Sequence, residues 1–117
     1  MENKEFAKKL ENRTRQFGIS IIKLSATLPN TVEGKVIKNQ ITKSGTSIGA
    51  NYREANRARS KPDFKNKIKI SESEASETEY WLEIIKDLNW IEENHLGMIS
   101  KEAKEILAIF TSISSKL

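Results

Sequence analysis

Cysteine is absent from the 117 residues, and histidine occurs once, at position 95. Disulfides and thiolate metal sites are therefore excluded, and a reducing compartment suits the chain. One histidine cannot supply the paired Glu-x-x-His motifs with which helical bundles hold two metals. Proline occurs twice and glycine five times, which leaves little sequence for loops. The longest unbroken apolar run, Ile106 to Phe110, falls far short of the ~20 residues that span a bilayer. Met1 to Leu10 is charged and has no apolar segment of the secretory kind. The expectation is a cytoplasmic protein of one domain, residues 1–117, with no membrane partner. No phosphate-binding GxxxxGK or GxGxxG occurs. No serine reads as an activated nucleophile, and His95 has no obvious catalytic companion. Neither enzyme activity nor a cofactor is expected.

Charged residues are plentiful, at 31%, and unevenly spread. Net charge is +4, but residues 1–62 carry a balance of +8 and residues 63–117 one of −4. All five arginines lie in the basic half. Such asymmetry fits nucleic-acid contact, and it fits equally well the pairing of oppositely charged helices or subunits.

The apolar residues recur at helical spacing throughout. Phe6, Leu10, Phe17, Ile21, Leu24 and Leu28 step by threes and fours, with Thr14 in phase. Pro29-Asn30-Thr31 breaks the pattern, and Thr31 suits an N-cap. A second stripe, from Ile37 through Ile41, Ser44 and Ile48 to Tyr52 and Ala55, is narrow and rich in small residues. Gly45 and Gly49 share its face, which predicts close approach of a neighbouring helix. Ser60-Lys61-Pro62-Asp63 starts a third helix with capping-box spacing. That helix repeats Phe64, Ile68, Ser71, Ala75, Thr78, Leu82 and Ile85. A second stripe, Trp81, Ile84, Leu88 and Ile91, widens its apolar face. Gly97 is expected to stop it, with His95 near its last carbonyls and Ser100 capping a fourth helix whose apolar rhythm runs to Leu117. The predicted helices span about 3–28, 32–59, 62–94 and 100–116. Short links between them give an all-α, antiparallel up-down-up-down four-helix bundle.

Two surfaces are candidates for function. Arg53, Arg57, Arg59, Lys61, Lys65, Lys67 and Lys69 face only Glu54 and Asp63, a balance of +5 in seventeen residues. In an up-down bundle this link shares its end with Lys4, Lys8, Lys9 and Lys116. Such a basic end fits phosphate contacts of RNA or DNA without sequence preference. Phe64, the one aromatic within the cluster, is in phase with the core, so base stacking is not expected. The second surface lies on helix three, where Glu77, Glu79, Trp81, Ile84 and Leu88 combine acidic and apolar character beyond the needs of one bundle. It is a candidate oligomer interface. An adaptor that uses these charges for assembly, with no nucleic-acid role, is the alternative.

The segment from Gly45-Thr46-Ser47-Ile48-Gly49 through Ala50-Asn51-Tyr52-Arg53-Glu54-Ala55 resembles the central signature of a known family. This is the four-helix-bundle family encoded by intervening sequences of bacterial 23S rRNA genes, also labelled S23 ribosomal protein. Ser73 to Leu82 is similar to its second signature, and Phe64-Lys65 to the start of its third helix. The resemblance implies a homopentameric ring. It also implies kinship with the accessory variability protein of diversity-generating retroelements, a basic pentamer that binds nucleic acid and a reverse transcriptase. It brings no catalytic residues. Asn51, Glu54, Glu77 and Glu79, polar residues within these signatures, are open to a buried, an intersubunit or an exposed role.

Overall fold

The computed structural model describes residues 3–117 and contains four helices: α1 (Lys4–Ser25), α2 (Val32–Ala55), α3 (Lys61–Leu88) and α4 (Glu93–Ser115). Met1 and Glu2, part of the charged N-terminus noted above, lie outside the described residues. Each helix begins where a side chain satisfies an otherwise orphaned backbone N–H. Asn3 accepts from the Phe6 N–H at 2.7 Å, Thr31 from Gly34 at 3.0 Å, and Ser60 from Asp63 at 3.2 Å. Pro62 sits in the first turn of α3, where its missing donor costs nothing.

Helix ends differ from expectation most strongly between α3 and α4. Asn89 adopts the left-handed conformation (φ 57°) and closes α3. The Trp90 N–H then reaches back to the Ile85 carbonyl at 3.5 Å. Helix α4 starts at once, because the Glu92 carboxylate accepts from the N–H groups of Asn94 (2.6 Å) and His95 (3.2 Å). Gly97, expected to stop helix three, is an ordinary position inside α4, and Ser100 caps nothing there. His95 likewise lies in the first turn of α4, not beside the last carbonyls of α3. Helices one and two also stop three to four residues sooner than the expected 28 and 59.

Consecutive helices run antiparallel and pack side by side. The α2–α3 contact is the most extensive and α1–α4 the least. The bundle extends 44 × 25 × 21 Å, close to the ~42 Å that 28 residues of α-helix span at ~1.5 Å each. Ile21, Ile41, Ile48, Ile68, Ile85 and Ile106 are fully buried. Tyr52 meets Phe110 edge-to-face across the core, with ring centroids 5.4 Å apart.

The small residues of α2 do what their spacing implies. A Cβ placed on Gly45 would lie 2.7 Å from Ile21 Cγ2, and one on Gly49 would lie 3.0 Å from Thr14 Oγ1. Helix α1 thus rests directly on the α2 backbone. On the other side of α2, Thr78 donates to Ser44 (2.9 Å) and Ser71 to the Ile48 carbonyl (3.0 Å). These buried hydroxyls fix the α2–α3 register and leave no uncompensated polar atom at those points.

Candidate functional site

The predicted basic residues divide according to their helical phase. Arg59, Lys61 and Lys8 come together, joined by Lys4, around a groove of ≈ 600 Å³ between the first turns of α1 and the α2–α3 link. Its floor is small and apolar, formed by Ala7, Ala55 and Ala58, with Phe64 as a wall. Among the described residues none of these four cations has a carboxylate within 4.0 Å. The nearby ion pairs belong to others: Lys9 with Glu5 (3.4 Å) and Arg53 with Glu11 (3.8 Å). Asn56 also donates to Glu11, at 2.8 Å. Glu11, the one carboxylate on the groove's edge among the described residues, is therefore already shared.

The remaining candidates point elsewhere. Arg53 faces the α1–α2 groove with Arg15 and Gly49. Lys69 lies farther along α3, in a shallow depression with Glu72, Glu77 and Tyr80. Arg57 and Lys65 are exposed and Lys67 is half-buried. Only part of the expected basic cluster converges on one place.

One aromatic side chain at this end departs from the core placement expected of it in sequence. Phe6 is in phase with the α1 core stripe, yet it is 43% exposed. It lines a second groove of ≈ 720 Å³ with Ile109, Ile113, Lys116 and Leu117, where α1 and α4 part. Phe64, by contrast, is buried as expected.

What joins α1 to α4 higher up is a fork. Arg13 donates to both Glu102 oxygens (2.8 and 2.7 Å) and to Glu105 (2.8 Å). The hydrogen bonds to Glu102 raise the Arg13 pKa above its ordinary value, against the opposing effect of burial. The partners lie 89 and 92 residues away in sequence, so no local pattern announces them.

On helix three, Glu79 is engaged within the chain, accepting from Lys104 at 3.1 Å. Glu77 accepts from the Trp81 indole at 3.2 Å. Trp81 and Ile84 are half-buried, while Leu88 is 45% exposed. The α2–α3 register places exposed Val36 level with Ile84 and Leu88, with exposed Val32 one turn beyond. Asn51 is half-buried and donates to the Ser47 carbonyl (2.9 Å), and Glu54 is exposed. Burial, then the like charge of Glu77, pushes the Glu74 carboxyl above its ordinary value, partly offset by Lys43.

The segment Gly45-Thr46-Ser47-Ile48-Gly49 also has the GxSxG spacing of a nucleophile elbow, overlooked in sequence. Its setting is wrong for that chemistry. It lies within α2 instead of on a strand-to-helix turn, and Ser47 donates to the Lys43 carbonyl at 2.6 Å. Among the described residues no three His, Cys, Asp or Glu side chains are grouped so as to hold a metal. No described helix is long and apolar enough to cross a membrane.

Fold and packing together define an up-and-down four-helix bundle. The family described as 23S rRNA-intervening sequence protein matches residues 6–112. The chain belongs to that family. It is similar to a solved structure from Bacteroides thetaiotaomicron VPI-5482, a protein with unknown function from the S23 ribosomal protein family. The two are 39% identical and superpose with a TM-score of 0.83, over 90% of this chain and 97% of that one. No curated protein matches the chain.

Proposed function

We propose that the protein is a non-catalytic, cytoplasmic homo-oligomer that binds RNA or DNA without sequence preference through its basic end. The observation that carries this reading is the convergence of Lys4, Lys8, Arg59 and Lys61 on one groove, with no carboxylate paired to any of them among the described residues. Unpaired cations cost self-repulsion, which phosphates relieve. Four phosphate contacts give a slope of about −3 to −4 in log affinity against log salt. Titrating labelled structured RNA at several salt concentrations measures it. Combined Lys8→Ala, Arg59→Ala and Lys61→Ala should weaken binding and flatten the slope. Undetectable binding at low salt, or affinity indifferent to these changes, refutes the reading.

Assembly is the second part of the proposal. The pentameric ring that the resemblance implies supports it, as do the exposed Val32, Val36 and Leu88 and the half-buried Trp81 and Ile84. Mass in solution by light scattering tests it, with Leu88→Asp expected to reduce the mass while preserving helix content. Glu77→Lys is the charge test, because Glu79 already serves Lys104. A wild-type monomer refutes this part. The kinship with the accessory variability protein that the resemblance implies extends the proposal to a reverse transcriptase partner in a retroelement setting. The same apolar patch favours the alternative, a protein–protein adaptor, if assembly persists and nucleic acid is not bound.

A further inference from the structure

Two grooves adjoin at the basic end, and one ligand chemistry fits both. Lys4, Ala7 and Lys8 face the basic groove, and Asn3 and Phe6 face the apolar one. The first turns of α1 form the ridge between them, and Phe64 contributes to both walls. Phe6 continues the stripe that buries Leu10, Thr14 and Phe17, so its place on α1 has the helical phase of a core residue. It is nonetheless exposed, because the α4 residues opposite leave an opening of ≈ 720 Å³. That volume lies within the ~300–1,000 Å³ of small-ligand sites.

A largely apolar groove with an exposed aromatic ring, beside four cations that have no carboxylate partner among the described residues, matches a molecule with flat apolar faces strung on regular negative charges. Nucleic acid in single-stranded form is such a molecule. A duplex hides its base faces in the stack and presents phosphates and base edges, which use the basic groove and leave the Phe6 slot idle. We propose that this end takes an unpaired strand, with phosphates against Lys4, Lys8, Arg59 and Lys61 and one base seated beside Phe6. Lys116 sits at the rim of the slot and adds a cation there. The proposal rests on the nucleic-acid reading above and specifies the strand state that the site prefers.

The test compares a labelled single strand of about 12 nucleotides, within the ~4–16 of small single-strand sites, with its duplex, by fluorescence anisotropy on the full chain. The single strand should bind more tightly. Phe6→Leu keeps the apolar volume and removes the π-face, so single-strand affinity should fall about 5- to 150-fold. Duplex affinity should not move, and Phe6→Trp should retain strand binding. Circular dichroism and the melting midpoint report whether each variant folds. Leu117→Asp, beyond the end of α4, disturbs the slot without touching a helix and should weaken strand more than duplex. Tighter duplex binding, or a folded Phe6→Leu with unchanged strand affinity, overturns the proposal and leaves nucleic-acid binding standing. Equal weakening of strand and duplex by Leu117→Asp overturns it too, as does displacement by an acidic peptide as readily as by unlabelled strand. Binding of neither form at low salt removes both readings.

Discussion

Gly45 and Gly97 both lie inside helices, and replacing each by alanine should move stability in opposite directions. Alanine in a helix interior is favoured over glycine by ~0.5–1 kcal/mol. At Gly97 nothing stands within 4 Å of the new methyl group, so the whole gain is realised. At Gly45 the methyl would lie 2.7, 2.9 and 3.0 Å from Cγ2, Cγ1 and Cβ of Ile21. Ile21 is fully buried and β-branched, so it cannot swing aside. Three contacts this short place the overpacking in the upper part of the usual range, at ~2–3 kcal/mol, and the net effect is a loss of about 1–2.5 kcal/mol. At ~3–5 °C per kcal/mol for a domain of this size, Gly45→Ala should melt about 3–12 °C lower and Gly97→Ala about 2–5 °C higher. Urea titration followed by far-UV circular dichroism gives the free energies. An Ile21→Ala background supplies the decisive control, since it removes both γ-carbons, leaves only the Cβ contact at 3.0 Å, and should remove most of the Gly45→Ala penalty. If Gly45→Ala stabilises as much as Gly97→Ala, the close α1–α2 approach is wrong.

Arg13 and Glu102 should show a coupling of ~0.5–1 kcal/mol in a double-mutant cycle read by urea denaturation, modest because the side chains are about one-third exposed. The raised pKa of Arg13 adds no pH dependence in the usable range. Its stabilisation persists below the unfolded value, which already lies above the pH range in which the protein can be assayed. For Glu74 the raised folded pKa means stability is lost as pH rises through that value. Glu74→Gln should therefore raise the melting midpoint at pH 7 and change nothing well below the ordinary glutamate value of 4.5. Asn89→Gly should be tolerated, because the position is left-handed. Asn89→Val should lower stability by ~1–2 kcal/mol in the same urea assay.

Much of the bundle was legible because its determinants are local. The buried positions of α2 and α3 followed the three–four spacing, and the Thr31 and Ser60 caps stood beside the breaks they closed. Gly45 and Gly49 were readable as a contact because two glycines on one helical face have few other uses. The α3–α4 turn was not legible in the same way. A left-handed Asn89 competes with Gly97 as a terminator, and a glutamate cap at Glu92 is not among the usual capping residues. The candidate site failed on non-local grounds. Whether Phe6 is covered depends on where α4 lies relative to α1, and which lysines converge depends on helical phase at both ends of the link. Arg13 could not be matched to Glu102 and Glu105 before the chain's two ends were brought side by side.

The unequal packing of the four helices also sets an order of opening. Helices α2 and α3 each have an extensive neighbour on both sides, whereas α1 and α4 each have one, with the Arg13 fork across their own narrow seam. Amide protons in the middle of α2 and α3 should therefore exchange only through global unfolding, while the terminal helices exchange through partial release. Proteases should find their first productive sites near the two chain ends, leaving the central hairpin as the last cooperative unit to dissolve.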